Sequence, residues 1–244
     1  MSAVTTLPAA LPRTWLHTVC AGLLGVMVVG LVALAGPVGA STTLDFITFD
    51  AIDYIRWPEE AGRALTPGDL GPEFGAIQCS LGEDVRGCPY GMDAGAAFLP
   101  AGTRIYAVRG HATEFRLAAV VGDRVFLYQA WRNPRAKVGG DLYALAGKVR
   151  AVDVQRGQPM PGVSRSPAAI TAPRDVQALV EMLVRSPVER PQAHAFGEPR
   201  YWLTFWLTDG TTLERPFFVE TRELMGGVAL PAEFSALLER HLGD

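Results

Sequence analysis

Histidine and carboxylate side chains that lie close together in the chain are the first candidates for chemistry. His111 is followed by Glu114, and a glycine-rich stretch upstream carries Glu83, Asp84 and Asp93. An imidazole beside carboxylates can act as a general base or hold a metal ion, so this region is the candidate site of a hydrolase or metal-dependent enzyme. The spacing supplies no further ligand, and we favour the alternative interpretation that His111 lies on a surface loop.

The three carboxylates of the glycine-rich stretch are also a candidate calcium site. Calcium takes about six to eight oxygen ligands, which three carboxylates and nearby carbonyls could supply. The spacing of Glu83, Asp84 and Asp93 matches no EF-hand or repeat motif. A solvated loop is therefore the preferred interpretation, and we predict neither a metal nor a cofactor.

Two cysteines bracket the first part of this loop. Cys79 and Cys88 enclose the sequence SLGEDVRG, and in an oxidising compartment such a pair can close a disulfide. Two free thiols are the alternative. A redox or metal pair is disfavoured, because the spacing is not CxxC and no second pair accompanies it. We predict a Cys79–Cys88 disulfide.

Motifs of well-known enzyme classes are absent from the sequence. It contains no GxSxG, SxxK or HExxH pattern and no phosphate-binding glycine loop. The net charge is −3, and no basic cluster interleaved with aromatic residues occurs, so nucleic-acid binding lacks its electrostatic signature. Catalytic groups can converge from distant positions, so an enzyme stays the alternative to a non-enzymatic binding protein.

An aromatic hairpin near the C-terminus is the candidate binding surface. In YWLTFWLTDG the side chains alternate, so Trp202 and Trp206 share one face, and the return arm adds Phe218. Both faces of this hairpin are apolar, which means that both are covered or that one binds a partner. Packing in the core is the simpler interpretation, and Trp202, Trp206 and Phe218 are the possible binding residues.

The segment of residues 41–147 is rich in strand and turn signals. The clearest hairpin is FRLAAVVGDRVFLYQA, which turns at Gly122 and Asp123. RALTPGDLGPEFG is predicted as a stretch of turns, and residues 74–81 as one strand that leads into the cysteine loop. Many short strands at this spacing predict a small barrel or sandwich.

The second half, residues 148–244, mixes helix and strand signals. Pro173 opens a helix whose apolar residues recur at helical spacing, and Ser186-Pro187 ends it. The aromatic hairpin turns at Asp209-Gly210, and a last helix follows Leu230-Pro231. The chain is therefore predicted to be α+β, with a boundary between two domains just before Lys148.

The apolar run from Val19 to Ala35 indicates where the protein is located. With Arg13 before it and small residues up to Ala40 after it, residues 1–40 read as a signal peptide cleaved after Ala40. An uncleaved anchor, with residues 15–36 in the membrane, is the close alternative, and a buried helix is disfavoured because the run has no polar face. Both favoured readings place the rest of the chain outside the cytoplasm.

Two sets of motifs resemble a family of uncharacterised exported bacterial envelope proteins, many of them lipoprotein-like. The family pattern reads FLxxGTxIYxxxG with FRLA after it, then a C-terminal FxLxDG and LPxEF. The matching residues here are Phe98-Leu99, Gly102-Thr103, Ile105-Tyr106, Gly110, Phe115-Arg116, Tyr201, Phe205, Asp209-Gly210 and residues 230–234. The resemblance implies an envelope location and transfers no catalytic residue. Cys20 lacks the context of a lipobox, so the mode of attachment differs from that of the lipoprotein members.

These observations predict an exported or membrane-anchored envelope protein that binds a protein or cell-wall partner. The expected contact is the aromatic hairpin or the Cys79–Cys88 loop. The alternative is an extracytoplasmic hydrolase or metal-dependent enzyme that uses the His111/Glu114 region and the acidic loop.

Overall fold

The computed structural model describes residues 44–57, 61–84, 86–157, 167–192 and 200–243, all within one compact unit, Leu44–Asp244. The predicted signal peptide or anchor, residues 1–40, and the predicted membrane segment, residues 15–36, lie outside the described residues. Among the helices that the structure describes, none is both long enough and apolar enough to span a membrane.

Eight strands form the first sheet. They are β1 (Asp45–Phe49), β2 (Ile52–Arg56), β3 (Leu70–Ala76), β4 (Cys79–Ser80), β5 (Gly95–Ala96), β6 (Arg104–Val108), β7 (Arg116–Val121) and β8 (Arg124–Arg132). Their order is β3-β6-β7-β8-β2-β1-β5-β4, and only β4 and β5 run parallel. The sheet curls into a half-barrel.

The two edge strands of this sheet are neighbours in the sequence. Strands β3 and β4 lie at opposite edges, yet only Ile77 and Gln78 separate them. The Ile77 N–H donates to the Thr103 carbonyl beside β6, whereas the Gln78 N–H donates to the Ala94 carbonyl beside β5. The single strand predicted for residues 74–81 is therefore wrong, because the chain changes partners in the middle of that segment.

Strand β3 also corrects the turn predicted for residues 63–75. A 3-10 turn (Pro67–Asp69) does occur there, but extended pairing with β6 begins at Leu70. Pro72 fits into this strand because β3 is an edge strand with irregular register, where a missing N–H leaves no ladder bond unmade.

Six antiparallel strands form the second sheet, and three helices accompany it. The elements are α1 (Gly139–Leu142), β9 (Val149–Arg156), β10 (Ala168–Ile170), α2 (Pro173–Arg185), β11 (Arg200–Leu207), β12 (Thr212–Phe218), β13 (Glu223–Leu224), β14 (Val228–Ala229) and α3 (Ala232–Leu242). The strand order is β10-β9-β11-β12-β13-β14.

Local sequence signals explain the longest of these elements. Helix α2 begins with Pro173 and buries Val176, Leu179, Val180 and Leu183, as the helical spacing predicts. The β11–β12 hairpin turns at Asp209-Gly210, where Gly210 has φ 86°, a conformation that favours glycine. The β7–β8 hairpin turns at the predicted Gly122-Asp123 as well. The predicted helices α2 and α3 and both predicted hairpins are confirmed.

One buried cluster joins both sheets and the helices. It includes Leu117 and Tyr128 from the first sheet, Phe205 from the second, Leu179 from α2 and Phe234 from α3. The α+β class is confirmed in coarse form, as mostly β-sheet with few helices. The predicted boundary before Lys148 coincides with the change of sheet, and the division into separate domains stays a prediction.

Candidate functional site

His111 lies where the two sheets meet. It follows Gly110 in the loop between β6 and β7, and its side chain is only 4% exposed. The imidazole Nε2 lies 2.8 Å from the Oδ2 of Asp209, which belongs to the turn between β11 and β12. The pair therefore joins a loop of the first sheet to a hairpin of the second.

A chain of hydrogen bonds extends this contact into the interior. The Thr211 N–H and Oγ1–H both donate to Oδ1 of Asp209, at 2.9 and 2.7 Å. The Thr211 oxygen in turn accepts from Nη1 of the buried Arg116 at 2.6 Å, and the Arg116 Nη2 donates to the Thr212 carbonyl at 2.7 Å. Arg116 thus anchors β7 to the start of β12.

The protonation states of this pair follow from its surroundings. Burial and the positive charge of Arg116 lower the pKa of His111, and together they outweigh the opposite effect of Asp209. Burial alone would raise the pKa of Asp209, but hydrogen bonds from His111 and Thr211 lower it to about 2. His111 is therefore neutral at pH 7 and donates through Nε2–H to an ionised carboxylate, which can only accept.

The geometry of His111 does not suit general base catalysis. A base needs a ring nitrogen within reach of a substrate proton. Nε2 is engaged by Asp209, and Nδ1 is buried with no hydrogen-bond partner among the described residues. The pair therefore acts as a structural contact between the sheets.

Glu114, the predicted companion of His111, has different surroundings. Its Oε2 accepts from Oγ1 of Thr113 at 3.3 Å, and it lines a separate cavity of about 340 Å³ with Arg135 and Asp141. The partner of His111 is instead Asp209, which lies 98 residues away in sequence. Local spacing missed this pairing because it arises only when the two sheets meet.

Two carboxylates of the acidic loop accept hydrogen bonds from backbone N–H groups. Asp84 Oδ1 accepts from the N–H groups of Arg86 and Gly87, and Asp93 Oδ1 accepts from the Asp50 N–H. Across the described part of the chain, no group of three or more His, Cys, Asp or Glu side chains could hold a metal ion. The structure therefore does not bring Glu83, Asp84 and Asp93 together as calcium ligands.

The Cys79–Cys88 disulfide is confirmed, with the two Cα atoms 5.5 Å apart. Cys79 begins the edge strand β4, so the bond ties the loop after this strand to the sheet. Sδ of Met92 lies 3.6 Å from Sγ of Cys79 and continues the sulfur-rich contact. We call residues 79–98 the disulfide loop.

The disulfide loop presents large apolar side chains to solvent. Tyr90 and Phe98 are each 53% exposed, and Met92 is exposed as well. Tyr90 is nevertheless fixed, because its ring stacks edge-on against Phe46 at 4.8 Å and its hydroxyl donates to Oδ2 of the buried Asp53. Tyr90 is therefore exposed to solvent in a fixed position.

The charges of the same loop are mainly negative. Glu83, Asp84 and Asp93 are exposed and face a single cationic residue of the loop, Arg86. The loop thus combines exposed apolar side chains with exposed carboxylates, a composition that is common at interaction sites.

The aromatic hairpin is mostly covered. Trp202 is 7% exposed, packs edge-on against Trp57 at 5.1 Å and donates from Nε1 to the Glu214 carboxylate. Phe218 is equally buried, whereas Trp206 is half-buried and donates to Asp153. Of the three predicted binding residues, only Trp206 retains a partly open face.

Comparison of the chain with protein-family models, with curated proteins and with solved structures finds no match. The resemblance to exported envelope proteins therefore stays a prediction from the motifs. The function has to be argued from the side chains themselves.

A groove of about 480 Å³ between α2 and the start of β9 offers no chemistry of its own. Its walls are largely valine, contributed by Val149, Val176, Val180 and Val184. Its polar side chains engage other groups, since Gln177 donates to Glu181 and the Arg150 guanidinium lies over the Trp206 ring. Acid–base catalysis needs convergent titratable groups, which these contacts do not provide.

Removal of the disulfide has a measurable expected cost. In the chain-entropy model, a loop of this length stabilises the folded state by about 2–3 kcal/mol. We therefore expect the paired change Cys79→Ser and Cys88→Ser to lower the free energy of unfolding by roughly that amount, measured by denaturant titration. The reduced wild-type protein is the control and should match the variant. Equal stability of the oxidised and reduced proteins would contradict the expectation.

Proposed function

We propose that this chain is an extracytoplasmic, envelope-associated binding protein that contacts its partner through the disulfide loop. The observation that carries the proposal is the display of Tyr90, Met92 and Phe98 on a loop held by the Cys79–Cys88 bond. Exposed aromatic and methionine side chains supply apolar contact area, and Tyr90, which is already held by Phe46 and Asp53, loses little freedom on binding.

The chemistry of the loop specifies the partner surface. Apolar side chains on a loop that also carries Glu83, Asp84 and Asp93 would complement a surface with both apolar and basic groups. The partner is therefore a protein or cell-wall component that carries cationic groups. Binding through the buried face of Trp202 and Phe218 would require the hairpin to be uncovered first, so the loop is the better contact.

The proposed location rests on two independent features. A disulfide forms and persists in an oxidising compartment, which supports a position outside the cytoplasm. The apolar run from Val19 to Ala35 supports export by a cleaved signal or retention by an anchor. The resemblance to exported envelope proteins agrees with both.

Photo-crosslinking in the native cells tests the proposed contact. A photoreactive amino acid replaces Met92 or Phe98 in the disulfide loop, and Val121 at the tip of the β7–β8 hairpin serves as an exposed apolar control. We expect the same discrete adduct from positions 92 and 98 and none from position 121. Absence of an adduct at both loop positions, or the same adduct from position 121, would overturn the proposal.

Charge reversal in the same assay tests the basic rim of the partner. Glu83→Lys inverts an exposed carboxylate of the loop, and Glu239→Lys inverts an exposed carboxylate on α3. We expect the adduct yield at position 92 to fall with Glu83→Lys and to stay unchanged with Glu239→Lys. An equal response of the two variants would indicate that only the net charge of the protein matters.

A further inference from the structure

The two sheets are joined at one edge by a titratable contact that the proposed binding function does not use. His111 stands in the loop before β7, and Asp209 stands in the turn before β12, with Nε2 and Oδ2 2.8 Å apart. The contact continues through Thr211 to Arg116 in β7. Opening the His111 contact therefore removes one side-chain link between the β11–β12 turn and the first sheet, beside that of Arg116 to Thr211.

We propose that His111 is an acid-sensitive latch between the two sheets, closed while its imidazole is neutral and opened when the imidazole is protonated.

The charged groups around His111 disfavour an additional positive charge. Arg116 faces it from β7, and Lys148, whose Nζ donates to the Gly110 carbonyl, faces it from the segment before β9. Arg63 approaches from the segment after β2, where its Nε donates to the Asp209 carbonyl while its other nitrogens bind Asp69. Among the described residues, Asp209 is the carboxylate that contacts the imidazole, and it also accepts two hydrogen bonds from Thr211.

Burial adds a second cost to protonation. The imidazolium carries a second N–H at Nδ1, an atom that is buried and has no hydrogen-bond partner among the described residues. A buried donor without an acceptor is strongly unfavourable. Opening the contact lets water solvate both the charge and the new donor, so protonation and opening are coupled.

A second histidine–aspartate pair provides an internal comparison. Nε2 of His241 in α3 lies 2.9 Å from Oδ2 of Asp175 in α2, close to the distance at His111. The His241 side chain is 28% exposed, so water can solvate its imidazolium without any opening. The two pairs share chemistry and distance and differ in burial, which is the property that makes a latch.

The direction of the pH effect follows from linkage. The folded state lowers the pKa of His111, so the stability that the neutral imidazole contributes is fully present above about pH 6.5, the usual value. It is lost as the pH falls below that value toward the lower pKa of the folded state. Asp209, with a pKa of about 2, stays ionised throughout this range.

Hydrogen exchange measured by mass spectrometry tests the latch. Protection is compared at about pH 7.5 and about pH 5, corrected for intrinsic exchange, in peptides that cover residues 108–116 and 205–213. We expect wild-type protection there to fall by about 3- to 30-fold, the upper figure applying to a group that titrates near pH 6.5 only in the open state. Peptides from α2 and α3 should keep their protection.

Two variants distinguish protonation of His111 from other effects of low pH on the protein. His111→Gln keeps an N–H donor toward Asp209 but does not titrate, so its protection should not change with pH. His241→Gln should behave as wild type. A change of less than about twofold in the wild type, or the same loss in His111→Gln, would overturn the latch. Should His111→Gln fail to fold, an NMR titration of the wild type decides the matter, and a His111 pKa at or above about 6.5 refutes it.

Discussion

Trp202→Ala is expected to lower the free energy of unfolding by about 3–5 kcal/mol, the usual cost of deleting a buried tryptophan. The indole packs edge-on against Trp57, and both indoles bond to Glu214, Trp202 to its carboxylate and Trp57 to its carbonyl. The variant leaves a cavity between β11 and the segment that follows β2. Denaturant titration, followed by circular dichroism, measures the loss.

Trp206→Ala is the matched control for this substitution. Trp206 lies four residues along the same strand and on the same face, but it is half-buried and bonds to Asp153 at a partly exposed position. We expect a loss of about 1 kcal/mol, near the average for a point substitution. Similar losses for the two variants would contradict the assignment of Trp202 to the core.

The same pair of variants separates packing from binding. If Trp202 belongs to the core, the Trp202→Ala protein loses stability, but the fraction that stays folded still forms the crosslink from position 92. A Trp202→Ala protein of wild-type stability that loses its crosslink would instead assign the contact to the hairpin. The prediction therefore discriminates between the two contact surfaces that the sequence offers.

Features specified by neighbouring residues could be predicted from the sequence. Helix α2 follows from Pro173 and the apolar spacing behind it, and the hairpins follow from Gly122-Asp123 and Asp209-Gly210. The Cys79–Cys88 bond follows from a short loop between two cysteines. In each case the residues that determine the feature lie close to one another in the sequence.

Features that arise when the sheets meet could not be predicted in this way. His111 finds Asp209, and Arg116 finds Thr211, across more than ninety residues of chain. Alternation predicts which face of a strand is apolar, but it does not indicate which distant polar group will be opposite a buried arginine. The same limit applies to Ile77 and Gln78, because the N–H of Ile77 donates to Thr103 beside β6 and the N–H of Gln78 donates to Ala94 beside β5, at the other side of the sheet.

Arg215→Ala is the second substitution expected to have a large effect, with a loss of about 3–5 kcal/mol in the free energy of unfolding. Arg215 is fully buried in β12, between the second sheet and β8 of the first. Its Nη1 donates to the Glu214 carbonyl at 2.6 Å, its Nη2 donates to the Ala130 carbonyl at 2.8 Å, and its guanidinium lies over the Tyr143 ring. The variant removes these donors, together with the Nε that donates to the Tyr143 hydroxyl at 3.3 Å, and leaves a cavity.

Arg215→Met separates the two causes, because it retains most of the volume while it removes the donors. Replacing both partners of a buried ion pair by apolar groups is often harmless, but here the closest partners are the backbone carbonyls of Glu214 and Ala130, which substitution cannot remove. We therefore expect Arg215→Met to lose about 2–3 kcal/mol, less than Arg215→Ala and still well below wild type, in the same denaturant titration. Wild-type stability of Arg215→Met would mean that the cost of burying the guanidinium equals the value of its hydrogen bonds. Arg215 would then fix how β12 and β8 are placed against each other without adding net stability.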